Sequence, residues 1–167
     1  MFKEARDTHP DQSLLFPLTS EMPTVTTVRI KGMLSGGITN FFETSEEFGS
    51  SEVKEDNVLH QLKNRNGNKK DIVFYGDYIW TPMFGKYFDR YEEFVSLDVR
   101  DLDTLDKNVA GHIYKELDSG SNFSLMLAHI IGVDSAGHTY NSQHPEVERK
   151  IIDSEDILHN IIDKMDD

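Results

Sequence analysis

The sequence predicts an α/β fold: a mostly parallel sheet with helices on both faces. Three observations predict it. Short apolar runs of strand length alternate with amphipathic segments of helix length. The connections between strand-like runs are too long for hairpins, which favours crossovers and parallel pairing. The most apolar run, Phe123-Ser124-Leu125-Met126-Leu127-Ala128-His129-Ile130, is short and bounded by Ser-Gly-Ser-Asn and, shortly after it, a glycine, as a buried strand would be.

Taken in order, residues 1 to 22 are poorly patterned, the first 13 most of all. Leu14-Leu15-Phe16-Pro17-Leu18 is expected to pack on the core, with Pro17 opposing a regular helix. From Pro23, a threonine cluster leads into Val28, Ile30, Met33 and Leu34, which predicts a turn opening a helix that Ser35-Gly36-Gly37 ends. Threonine is a good N-cap, so each threonine here has capping as its structural explanation. The acidic stretch from Glu43 to Glu52 reads as a solvated loop. Residues 52–64 carry Val58, Leu59 and Leu62 at helical spacing and run into Asn-Arg-Asn-Gly, a helix stop.

Asp71-Ile72-Val73-Phe74-Tyr75 is a strand entered from a basic turn and ending at Gly76-Asp77. Residues 78–91, with Trp80 among many aromatics, form a loop or broken helix on the sheet edge, and Glu93 to Leu97 is a further strand candidate. Leu105, Val109, Ile113 and Leu117 stand four apart and predict an amphipathic helix over 103–117, capped by Asp103 or Thr104. The central strand follows. A last helix then starts near Pro145, its buried face made of Val147, Ile151, Leu158, Ile161, Ile162 and Met165.

The chain has 167 residues, 37% of them apolar, enough for one domain with a real core. Thirty acidic against 17 basic residues give a formal charge of -13. That argues against nucleic acid and against an anionic membrane surface, since both require a basic patch. A phosphate-bearing substrate stays open if bound metal supplies positive charge. There is no cysteine, so disulfides and thiolate sites are excluded. The first residues lack the apolar core of a signal peptide, and no apolar run has the length of a membrane span.

The residues that carry chemistry cluster after the central strand. Asp134 lies just past its end and His138 four residues later, at the sheet edge where open α/β folds place ligands. Both residue types bind zinc, and Gly137 is expected to let a loop fold back so that both point at one ion. Alone, the pair is a weak signal that a solvated loop with a satisfied histidine explains better. Pro23-Thr24-Val25-Thr26, opening a helix far upstream, adds a hydroxyl where amide N–H groups and the helix dipole favour anionic oxygens. Together these are the parts of a metal-assisted phosphoryl transferase passing through a phosphothreonine.

Several ordered motifs join them: Pro-Thr-Val-Thr, Arg-Ile-Lys-Gly-Met-Leu-Ser-Gly, Glu55-Asp56-Asn57-Val58-Leu59-His60-Gln61-Leu62, Ile72-Val73-Phe74-Tyr75-Gly76-Asp77 with Trp80, Val99-Arg100-Asp101-Leu102-Asp103-Thr104, Ile131-Gly132-Val133-Asp134 with Gly137-His138, and His144-Pro145-Glu146. In this order they resemble the GPI ethanolamine phosphate transferases of the alkaline phosphatase superfamily, from about Leu14 onward. Arg-Asp-Leu-Asp-Thr resembles the subgroup acting on the third mannose of the GPI precursor, and Pro-Thr-Val-Thr-x-x-Arg-Ile-Lys suits the second-mannose subgroup equally.

The resemblance implies an alkaline-phosphatase-like sheet and transfer of phosphoethanolamine from phosphatidylethanolamine to a GPI mannose. It also implies the endoplasmic reticulum lumen and two zinc ions, with another divalent metal as the alternative. By position Thr26 resembles the nucleophile and a metal ligand, flanked by Thr24 and Thr27. Asp134 and His138 resemble ligands of the metal on the far side. Asp77, His129 and His144 recur in the pattern without an assigned role. The implied partners are the GPI glycolipid, the lipid donor, the membrane through segments absent here, and a stabilising membrane subunit.

The chain also departs from the pattern. The family's first metal-binding aspartate, in an Asp-Ala-Leu-Arg-like strand, has no counterpart. Its later Asp-His-Gly motif and a further histidine are not in this sequence either. Ser135 stands where the subgroup has histidine, and Asn141-Ser142 where the family has Gly-Pro. Residues 1–167 therefore read as part of a lumenal catalytic domain. A non-catalytic fragment of that domain and a related phosphodiesterase or phosphatase are the competing expectations.

Overall fold

A computed structural model of the chain describes residues 7, 11, 14–19, 24–37, 52–65, 71–96 and 98–166. The expected solvated loop from Glu43 lies outside these residues except at Glu52, as do most of the helix stop after Asn64 and the basic turn before Asp71.

The centre is β1, Ile72–Asp77, buried along its whole length. It pairs in parallel with β2, Arg90–Phe94, on one side and with β3, Leu125–Ala128, on the other, in the order β2-β1-β3. A strand flanked by strands and covered on both faces has no polar side to show, so its β-branched and aromatic run need not alternate with polar residues. Side chains still alternate by face. Ile72 and Phe74 enter one core with Ile30, Leu59, Trp80, Met83, Phe84 and Phe88. Val73 and Tyr75 enter the other with Leu105, Val109 and Ile113. The predicted class, a parallel sheet with helices on both faces, is the one observed.

The first face is covered by α1, Thr26–Ser35, by α2, Val58–Asn64, and by the short α3, Trp80–Phe84, which runs into a 3₁₀ turn at Gly85–Tyr87. Gly36 ends α1 with φ at 66°, a left-handed conformation that glycine takes without penalty, and its N–H bonds the Gly32 carbonyl at 2.9 Å. Phe74 is fully buried and stacks on Phe88 at 4.8 Å between centroids. The broken helix expected over 78–91 is α3 with its 3₁₀ turn, and its aromatics enter the core rather than merely fringing an edge.

The second face is covered by α4, Thr104–Asp118, and α6, Pro145–Asp166, with α5, Gly132–Thr139, between β3 and α6. Ala136 of α5 packs with Leu102 and Val147 in a third small core.

Five expectations need correction. Leu14, Leu15, Phe16 and Leu18 are exposed, so the segment does not pack on the core. The helix expected from residue 52 starts at Val58, because Asn57 Oδ1 accepts the His60 amide and caps it there. No threonine caps α1: the N-cap is Val25, and Thr26 is the first helical residue. On α6 Val147 is buried and Leu158 and Ile161 are half-buried, while Ile151, Ile162 and Met165 are exposed. The strand expected over 93–97 also comes earlier, as β2.

Candidate functional site

Because all three strands are parallel, their C-terminal ends share one edge, and each chain continuation there starts a different piece of the site. After β1, Asp77 is buried and its Oδ1 accepts the Ile79 amide at 2.9 Å, closing the turn into α3. Asp77 thus acts as a strand-end turn residue. After β3, the His129 amide extends the ladder by donating to the Tyr75 carbonyl at 3.0 Å. Its ring lies against Trp80, 5.8 Å between centroids, and its Nδ1 is buried without a partner. Burial pushes the imidazole below its usual range, against the opposing pull of Asp77, Asp134 and Asp106. The His129 backbone also closes over Gly76. A Cβ added at Gly76 would stand 2.8 Å from the His129 Cβ and 3.0 Å from its carbonyl oxygen, too close for any side chain.

Asp134 and His138 lie on α5, and this corrects the expected loop. They converge because residues four apart sit on the same side of a helix, not because Gly137 reverses the chain. Oδ2 of Asp134 stands 3.6 Å from Nε2 of His138, with the side chains 69% and 76% exposed. Two donors at about 2.0–2.1 Å from one tetrahedral zinc stand about 3.4 Å apart, so this carboxylate and imidazole fit as two ligands of one metal ion. Among the described residues there is no group of three or more His, Asp or Glu side chains placed to hold a metal.

Thr26 is exposed at the first position of α1, with Thr24 exposed before it and Thr27 half-buried after it. Valine at the N-cap offers no acceptor side chain to the first-turn amides. Among the described residues no hydrogen bond or ion pair joins Thr26 to Asp134 or His138. His144 stacks on Tyr140 at 4.3 Å, and its Nδ1 accepts the Glu146 amide at 3.2 Å, which caps α6.

Two further residues escaped the sequence reading. Asp106 and Lys150 are each only 2% exposed and pair at 2.9 Å. The signal was present in α4, where a carboxylate occupies a position in register with Val109, Ala110 and Ile113 on the buried face. Lys150 falls three residues after Val147 and is likewise on the inner side of its helix.

The chain is similar over nearly its whole length to one segment of much longer proteins. It is 32% identical over 160 residues, 96% of this chain and 14% of the relative, to the catalytic subunit of GPI ethanolamine phosphate transferase 3 of Mus musculus. It is 30% identical over 161 residues, 95% of this chain and 17% of the relative, to GPI ethanolamine phosphate transferase 3 of Schizosaccharomyces pombe. It is 32% identical over 146 residues, 87% of this chain and 14% of the relative, to the catalytic subunit of GPI ethanolamine phosphate transferase 2 of Homo sapiens. The chain thus spans about a sixth or less of the length of these relatives. No family model matches it, and no solved structure matches it. The resemblance read from the ordered motifs is thereby found across the chain.

Proposed function

We propose that this chain is part of the lumenal catalytic domain of a GPI ethanolamine phosphate transferase of the endoplasmic reticulum membrane. It would act on the third mannose of the GPI precursor with phosphatidylethanolamine as donor. The observation that carries the reading is the Asp134–His138 pair, 3.6 Å apart and exposed at the sheet's ligand edge, in a chain similar along its length to these transferases.

Thr26 is the proposed nucleophile. Its hydroxyl oxygen forms a bond to the phosphorus of the donor, the diacylglycerol oxygen leaves with a proton, and phosphoethanolamine stays on Thr26. A mannose hydroxyl then attacks the same phosphorus, loses its proton, and the threonine oxygen departs. The first-turn amides of α1 favour the anionic phosphoryl oxygens at that position. Asp134 and His138 would hold one zinc ion, and Thr26 would contact a second. Bound metal would lower the nucleophile's pKa and offset the charge on the phosphoryl group.

The test is complementation in the full-length protein. Thr26→Ala is expected to abolish restoration of GPI anchoring in transferase-deficient cells while leaving protein abundance unchanged, since an exposed first-turn threonine without a capping bond contributes little to stability. Asp134→Ala is expected to abolish it through loss of metal. A Thr26→Ala protein that restored anchoring would move the nucleophile to another residue, Thr24 first.

A further inference from the structure

The helix that carries Asp134 and His138 begins on a buried, fully built support. Ile131 is the N-cap of α5 and has no capping side chain of its own. Its function is taken over from another element. Oδ1 of Asp106, on α4, accepts the amides of both Ile131 and Gly132, at 3.0 and 3.1 Å. Oδ2 of the same carboxylate pairs with the ammonium of Lys150, on α6, at 2.9 Å. Burial works against the charge on Lys150, but Asp106 and Asp103 outweigh it and hold the ammonium above its usual range. Three helices therefore meet at one carboxylate.

Gly132 completes the arrangement by having no side chain. A Cβ there would overlap Asp106 Oδ2 and Lys150 Cε, and would stand 2.7 Å from the Leu102 carbonyl oxygen. Backbone cannot yield as the tip of a side chain can, so even alanine must displace the pair or the start of the helix.

We infer that Asp106, Lys150 and Gly132 form a positioning site that fixes the first turn of α5 and so sets where Asp134 and His138 present their donors to a metal ion. Asp134 is only two residues beyond Gly132, so rotation of the first turn moves its carboxylate directly. His138 follows one turn later on the same rigid element. Neither Asp106 nor Lys150 touches the ion; both act through the helix. The inference rests on the reading of Asp134 and His138 as metal ligands.

The test is zinc affinity of the full-length protein, measured by competition with a chromophoric chelator. Two double variants remove both buried charges, so that neither leaves an unpaired ion behind. Asp106→Asn with Lys150→Met keeps an oxygen that can accept the two amides. Asp106→Ala with Lys150→Met removes it. The asparagine variant is expected to bind zinc within a fewfold of the unmodified protein. The alanine variant is expected to lose roughly tenfold to a hundredfold, the range for residues that orient metal ligands. Gly132→Ala is expected to fall with the alanine variant. Equal affinity in the two double variants would overturn the positioning role. In that event Asp134→Ala separates the causes: lost zinc would leave the ligand reading standing, and retained zinc would remove that reading and the inference together.

Discussion

At the scale of single residues, the polar side chains that matter most to the fold bond to backbone. Asn57 is the clearest case. It is buried, its Oδ1 accepts the His60 amide at 3.0 Å, and its Nδ2 donates to the Glu55 carbonyl at 2.9 Å. One side chain therefore fixes both the start of α2 and the turn before it. Asn57→Ala is expected to destabilise the fold by about 1–2 kcal/mol, because it removes a cap and leaves buried backbone groups unpaired. Asn57→Asp should cost less, since it keeps the acceptor and loses the donor. Denaturant midpoints of the two variants check the order, and equal midpoints would contradict it. The same logic explains which side-chain groupings could be read in advance. That of Asp134 with His138 could be, because it follows from a local spacing. Asp106 could not, because its partners come from two other helices.

At the scale of elements, β1 and α4 were legible because their apolar periodicity is local and strong. The start of α4 was less so. Asp103 occupies the N-cap without capping, and Asp101 Oδ1 accepts the amides of Thr104 and Asp103 instead, at 3.0 and 3.2 Å. Asp103 is drawn away by α6: Arg149 bonds it at 3.1 Å and Lys150 at 3.3 Å. Tertiary pairing thus overrode a sequence preference. α5 reads as a loop in the sequence because its two glycines and β-branched valine weaken helix propensity, and tertiary contacts hold it, among them the support at its start, the packing of Ala136 and the bond from Thr139 Oγ1 to the Val99 carbonyl at 2.9 Å. The Asp103 clamp makes a testable link to pH. Arg149 first, then Lys150, hold the Asp103 carboxyl below its usual range. A depressed folded-state pKa gives stability that is present above the unfolded value of about 3.9 and is lost as pH falls through the folded value. Arg149→Met should therefore cost on the order of 1 kcal/mol or less near neutrality, the pair being half-exposed. It should also flatten the fall in stability on acidification. Denaturation midpoints of both proteins from neutral to acid pH decide it: parallel acid limbs would show that the clamp contributes no linkage.

At the scale of the whole molecule, the sheet and its two cores are well covered at β1 and thinly covered beyond it. β2 and β3 are the two edges of the described sheet; Tyr91 in β2 and Val95 just after it are exposed, as are Ile151, Ile152 and Met165 on α6. Open strand edges and contiguous apolar surface promote association. The isolated chain is expected to self-associate, seen as a scattering mass above 19.2 kDa that rises with concentration. The same chain should bind zinc weakly. A stable zinc site usually takes at least three protein ligands, and two leave most of the coordination shell to water. Here Asp134 and His138 are the only pair brought together among the proposed ligands, on a surface whose formal charge of -13 offers many competing carboxylates. Calorimetric titration of the isolated chain with zinc should therefore give shallow, non-stoichiometric binding that is screened by salt. Asp134→Ala should change it little, because a two-ligand site stands out only slightly from that background. Tight binding of two ions, abolished by Asp134→Ala and by Thr26→Ala, would mean instead that this chain carries complete metal sites and that further segments are not needed to build them.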